Sequence, residues 1–214
     1  MTPAKRAVDV GGATVGLIVT APVLIVLAIA IRLSDRGPAL FSQTRVGRGG
    51  RPFRMWKLRT MVVGAERQDV QITPRTDRRI TRLGAVLRRL KLDELPQLFN
   101  VVAGDMSLVG PRPEVERYVA LYTLEQRRVL ELTPGITDPA SIAYCDEAAI
   151  LESDPDPERL YVTELMPAKV RLNLEYAARA TVWSDIAVVG HTMISVLGRL
   201  LTPLRFGAAV PAGR

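Results

Sequence analysis

The sequence predicts a mostly helical α+β protein that is monotopic. An N-terminal re-entrant helix-break-helix holds it at a membrane, with a small β-hairpin and interfacial amphipathic helices behind it. Three observations carry this. Val10 to Ile31 contains no charged side chain. Two short strand-like runs, Ala39 to Val46 and Pro52 to Leu58, flank the turn Gly47-Arg48-Gly49-Gly50-Arg51. Most of the chain beyond the hairpin reads at helical period.

At about 1.5 Å per residue, a helix over the apolar run is long enough to cross a hydrocarbon layer of about 30 Å. Yet Lys5 and Arg6 precede the run, and Arg32 and Arg36 come after it. A spanning helix collects basic residues on its cytoplasmic flank, and here neither flank is the poor one. Pro22, after Ala21, stands at the middle, where it removes a helical hydrogen bond. The pattern therefore predicts a bent segment that enters and leaves by one face. A spanning helix with a tolerated proline competes with this. So does a secretory signal cut near Ala28-Ile29-Ala30, although the run exceeds the usual 7–15 residues of such a signal. A buried soluble helix fits less well, because apolar residues occupy all sides. The chain then divides into an anchor (1–36), a domain on the cytoplasmic face of the inner membrane (37–201) and a flexible tail (202–214).

The 214 residues carry a formal net charge of +7. Such an excess suits an anionic membrane surface or an anionic substrate. Aromatic residues make up only 5%, which argues against a nucleic-acid binder that stacks bases. The one cysteine, Cys145, excludes an internal disulfide and reads as inert, and the one histidine, His191, leaves no histidine pair for zinc.

Beyond the hairpin, Thr60 to Asp77 is polar and takes no clear assignment. Arg78 to Leu92 reads as a helix with Leu83, Val86, Leu87 and Leu90 on one face, and Leu95 to Val102 as a second. Gly104 to Pro113 reads as a loop. Glu114 to Leu132 is helical in two pieces, with Thr123 and Gln126 as a capping box and Pro134-Gly135 as the stop. Residues 151–160 read as an acidic surface loop and Tyr161 to Ala180 as a helix. Asp185 to Leu201 is amphipathic, with Ile186, Val189, Met193, Leu197 and Leu200 on one face. That face suits a core or a bilayer interface equally.

The densest polar constellation is RRLKLDELPQLFNVVAGDMSLVGPRP, from Arg88 to Pro113. Asp93 and Glu94 are adjacent carboxylates at a helix start, where capping alone would suit them. Arg88, Arg89 and Lys91 precede them, and Asp105 and Arg112 come after. Paired carboxylates can hold a hard cation such as Mg²⁺, and arginines can clamp phosphate oxygens. The mixture suits phosphoryl transfer. A carboxylate can also attack phosphorus itself. Lys57 and Arg59, at the end of the second strand, offer a further cationic contact.

These pieces, with KRAVD before the apolar run, GPALFSQTRVGRGGRPFRMWKLRTM across the hairpin and PGIT at residues 134–137, resemble one family over nearly the whole chain. It is the monotopic bacterial phosphoglycosyl transferases, of the bacterial sugar transferase type. The resemblance implies transfer of a sugar-1-phosphate from a nucleoside diphosphate sugar, with uridine as the base, to polyprenol phosphate. It makes Asp93 the nucleophile and Glu94 its helper through Mg²⁺, for which Mn²⁺ can substitute. Arg88 and Arg112 would serve the phosphates. It also implies a re-entrant anchor, whose usual Ser-Pro break reads Ala21-Pro22 here. Family members often continue the PGIT loop as Gly-Leu-Trp-Gln, whereas this chain continues Asp138-Pro139-Ala140-Ser141, so contacts in that loop do not carry over. A direct ternary-complex transferase with the same substrates, and a basic membrane-bound scaffold or nucleic-acid module, are the competing readings. Neither the sugar nor the oligomeric state is encoded legibly.

Overall fold

The computed structural model describes residues 1–65 and 77–201. Most of the unassigned polar stretch and the tail from residue 202 lie outside the described residues. Helix α1 (Pro3–Asp35) starts at Thr2, whose hydroxyl accepts from the Lys5 amide at 3.2 Å, with Pro3 where a missing N–H is harmless. It ends at Arg36 in the left-handed conformation, φ 57°. Its helical path runs through Ala21 and Pro22 without the break expected there. One proline removes a single rung of the ladder, and the neighbouring rungs remain. The Thr20 hydroxyl adds a bond to the Gly16 carbonyl, 2.7 Å, in the preceding turn.

The hairpin forms as read. Strands β1 (Leu40–Val46) and β2 (Pro52–Leu58) pair antiparallel, with Phe41 opposite Lys57 and Val46 opposite Pro52. The turn uses Gly49 and Gly50 at positive φ. Helix α2 (Arg82–Arg89) is shorter than the helix predicted over 78–92. Ile80 is taken into an antiparallel bridge with Met61, and Thr81 caps the first turn by accepting from the Gly84 amide at 2.9 Å. A Cβ at Gly84 would collide with the Thr60 carbonyl, so α2 sits directly on the segment leaving β2. Left-handed Lys91, φ 56°, closes the other end.

A 3₁₀ turn, Leu92–Glu94, leads into α3 (Gln97–Ala103). The expected loop after it holds strand β3 (Ser107–Val109), parallel to β4 (Gly135–Thr137) in the PGIT segment. Strands of three residues are too short to show alternation, and this pairing joins distant parts of the chain. Between them come α4 (Glu116–Val119) and a 3₁₀ turn, Gln126–Glu131. The Thr123–Gln126 capping box forms, with reciprocal bonds of 2.9 and 3.2 Å. Short helices α5 (Pro139–Ala143), α6 (Glu147–Glu152) and α7 (Pro157–Leu160) come next, so the predicted acidic loop contains the end of α6 and all of α7. A π turn opens α8 (Met166–Ala177), and α9 (Val182–Leu201) closes the described chain.

The boundary expected at residue 36 does not separate cores. Ala13 and Leu17 of α1 pack with Met55, Leu98, Val101 and Met106. Farther along, Leu24, Leu27 and Ile31 pack with Leu58 and Leu87. Polar ties reinforce the first contact. Arg6 donates to the Val101 and Val102 carbonyls at 2.6 and 3.0 Å. Buried Asp9 accepts from the Ser107 hydroxyl and the Leu108 amide at 2.8 and 3.1 Å. Lys5 pairs with Asp185 at 2.6 Å. The opposite face of α1 exposes Val15, Ile18, Val19, Ile25, Val26 and Ile29. On α9, Ile186, Met193 and Leu197 are exposed, as is Trp183, while Val188 and Asp185 are buried. The apolar stripe of α9 therefore does not face the core.

Candidate active site

The 3₁₀ turn before α3 places Asp93 and Glu94 side by side, each under a tenth exposed. The two carboxylates are treated very differently. Glu94 Oε1 accepts from the Arg112 guanidinium at 2.6 Å and from Lys57 Nζ at 3.3 Å, with Lys91 Nζ at 3.9 Å. Burial alone would raise its pKa, but Arg112, Lys91 and Lys57 overturn that and hold it well below the usual carboxylate range. Arg112 is raised in turn by Glu94. Lys57 is lowered by burial to about 8, a shift that Glu94 limits.

Among the described residues Asp93 has no such clamp. Burial and then the Glu94 charge raise its carboxyl above the ordinary value, against the fields of Lys57, Lys91 and Arg88. Inside one turn the chain thus builds a fixed anion and a more basic carboxylate beside it.

Of the cationic residues singled out from the sequence, Lys57 and Arg112 converge on Glu94. Arg88 is tied to Thr60, its Nε donating to the hydroxyl at 2.8 Å, and it feels the Asp93 charge from there. Arg59 differs from its neighbours. It is buried and pairs with Asp35 at the end of α1, and among the described residues its Nε and Nη1 have no hydrogen-bond partner. The site also depends on Asn100, which residue type alone did not single out. Its side chain accepts from the Trp56 amide at 3.1 Å and donates to the Arg54 carbonyl at 2.7 Å, fixing α3 to β2. A polar residue among the apolar positions of LPQLFNVV was the available signal.

Among the described residues, no cluster of three or more His, Cys, Asp or Glu side chains could hold a metal alone. Two adjacent carboxylates still fit a cation that completes its shell with water and substrate phosphate, as Mg²⁺ does.

The profile of the family described as bacterial sugar transferase matches residues 1–199. The chain belongs to the bacterial sugar transferase family. Among its relatives is the UDP-glucose:undecaprenyl-phosphate glucose-1-phosphate transferase of Caulobacter vibrioides, 38% identical over 196 residues, which cover 90% of this chain and 69% of that protein. A protein of the same name in Escherichia coli K12 is 38% identical over 197 residues, covering 88% of this chain and 39% of that protein. The UDP-N-acetylgalactosamine-undecaprenyl-phosphate N-acetylgalactosaminephosphotransferase of Aeromonas hydrophila is 34% identical over 198 residues, covering 90% of this chain and 43% of that protein. This bacterial sugar transferase chain thus spans less than half the length of two of these three relatives.

Proposed function

We propose that this chain transfers a sugar-1-phosphate from a UDP-sugar to undecaprenyl phosphate or a similar polyprenol phosphate. The single observation that carries the reading is the unequal carboxylate pair: Glu94 clamped by Arg112 and Lys57, Asp93 unclamped beside it. The activities for which the relatives are named agree with it.

Two displacements account for the reaction. An Asp93 carboxylate oxygen attacks the phosphorus that bears the sugar. The bond from that phosphorus to the bridging oxygen breaks, and uridine monophosphate leaves. An oxygen of the polyprenol phosphate then attacks the aspartyl phosphosugar. The bond to Asp93 breaks, its carboxylate returns, and the sugar leaves as a polyprenyl diphosphosugar. Lys57, Arg88 and Arg112 supply positive charge around the transferring group. Arg112 and Lys57 also hold Glu94 ionised. Mg²⁺, held by Asp93 and Glu94 together with donor phosphate oxygens, would neutralise pyrophosphate charge.

The reading includes a monotopic anchor at the cytoplasmic face of the inner membrane. Arg6 and Asp9, near the start of α1, bond to α3 and β3, while Ile31, near its end, packs on Leu58 and Leu87. Both ends of the helix therefore rest on one body. A perpendicular crossing of about 30 Å of hydrocarbon would part them. With the exposed face of α1 in lipid, the segment enters and leaves by the same side, and the outward stripe of α9 lies in the interface.

The test is donor turnover by detergent-solubilised protein without acceptor. The covalent route leaves labelled phosphosugar on Asp93 and releases monophosphate. A ternary-complex route gives neither until polyprenol phosphate is added.

A further inference from the structure

A pocket opens between the Gly47 turn, the Pro111–Glu114 segment and α8. Arg112 both lines this pocket and reaches Glu94. Val46, Leu132 and Val170 give the pocket an apolar wall. The charges around it are matched. Arg112 has Glu94, and Lys169 has Glu147 at 2.8 Å. Glu114 accepts from the Tyr161 hydroxyl and lies 3.7 Å from Arg45.

Asn173 is different. It lies four residues beyond Lys169 on α8, lines the pocket, and is only 7% exposed. Among the described residues its carboxamide has no hydrogen-bond partner. A nearly buried amide facing a cavity asks for a ligand that both donates and accepts.

We propose that this pocket takes the sugar ring of the donor and that Asn173 reads a hydroxyl or acetamido substituent on it. The proposal rests on the reading that Asp93 attacks the donor phosphorus. Arg112, at the edge shared with Glu94, serves the phosphoryl group, while Lys169 is already engaged by Glu147, so the rest of the pocket is poorly suited to a phosphate. A sugar brings groups that donate and accept, and a C–H face for the apolar wall. It also hangs directly on the phosphorus under attack. The base lies beyond a second phosphate and a ribose, farther than one arginine side chain from Glu94.

The experiment compares UDP with UDP-glucose, UDP-galactose, UDP-N-acetylglucosamine and UDP-N-acetylgalactosamine. Binding is measured by calorimetry on the full chain in detergent carrying Asp93→Asn, so that donors stay intact. Turnover is measured on chains that retain Asp93. In each setting Asn173→Leu is compared with Asn173. Leucine is nearly isosteric with asparagine, so the packing of α8 is kept, and a melt of each variant checks that it is. Val170→Leu narrows the pocket without touching Asn173.

The expected result is that Asn173→Leu removes about tenfold of the affinity advantage of the preferred UDP-sugar over UDP. UDP itself binds as before. Turnover of that donor falls through KM, and KM for polyprenol phosphate stays fixed. Val170→Leu should reorder the four donors in both assays. Equal losses for UDP and UDP-sugar would put the base or a phosphate in the pocket and overturn the proposal. Unchanged donor preference in both variants would overturn it too. Absence of UDP-sugar turnover by the unmodified chain would instead remove the transferase reading on which it stands.

Discussion

The Arg112 guanidinium lies 2.6 Å from the Glu94 carboxylate and fixes it as an anion, which leaves the adjacent Asp93 free of that clamp. The chemistry assigned to each carboxylate stems from this one contact.

Asp93→Asn should abolish monophosphate release, by at least about a thousandfold, while the melting temperature stays close to that of the parent. An amide keeps the shape of the carboxylate but is a very poor nucleophile, and Asp93 caps neither the 3₁₀ turn nor α3. Parent-like turnover would end the nucleophile assignment. Lost activity with a large fall in melting temperature would make Asp93 a structural residue.

Arg112→Met should reduce both stability and activity. It leaves Glu94 buried with only Lys57 and Lys91 near it, and breaking such a pair costs about 3–5 kcal/mol. Adding Glu94→Gln to Arg112→Met should restore part of the stability and none of the activity. Denaturant melts and turnover on the parent and these two variants separate the two effects.

Lys57 predicts opposite pH trends for activity and stability. In the folded protein it loses its proton near pH 8, whereas in the unfolded chain it does so near 10.5. Between these values the unfolded chain binds more protons, so the stability owed to this group rises with pH. Activity should fall over the same range, because Glu94 loses a cation and the donor loses a positive neighbour. Lys57→Arg should keep activity flat through pH 9. An unchanged alkaline limb in that variant would assign the fall to another group.

Excess chelator should stop turnover, and added Mg²⁺ or Mn²⁺ should restore it. The carboxylate pair is too small to close a shell around an ion, so affinity should rise when donor is present. Full activity in chelator would leave charge neutralisation to Lys57, Arg88 and Arg112 alone.

Single cysteines at Thr2 and Ser34, in a Cys145→Ala background, should both resist an impermeant reagent until the inner membrane is opened. Labelling of Thr2 with only the outer barrier breached would show a spanning helix. Pro22→Leu tests whether the proline sets this topology. If it does, Thr2 labelling begins in that variant.

The sequence announced the hairpin through its glycine turn, and the charge-free run of α1 through its composition. The capping box at Thr123 was visible because both of its bonds are local. The pairing of β3 with β4 was not visible, since Ser107 and Gly135 meet only through the tertiary fold. At the site, Asp93, Glu94, Lys57 and Arg112 could be named from residue type. That Arg112 clamps Glu94 and not Asp93 could not, because Arg112 reaches Glu94 only when β3 and the loop after it are in place. Arg59 illustrates the converse. It shares a basic motif with Lys57, yet two positions along the chain it pairs with Asp35 instead.

The packing of α1 sets a limit on what can be cut from this protein. Ala13, Leu17, Leu24, Leu27 and Ile31 fill space between the hairpin, α2 and α3. Deleting the first 36 residues to obtain a water-soluble catalyst would leave a trench along Met55, Leu58, Leu87 and Val101. It would also strand Ser107 and the carbonyls of Val101 and Val102 without their bonds to Asp9 and Arg6. Solubility would have to come from recolouring the outward face of α1, at Ile18, Val19, Ile25 and Ile29, with the inward face left intact.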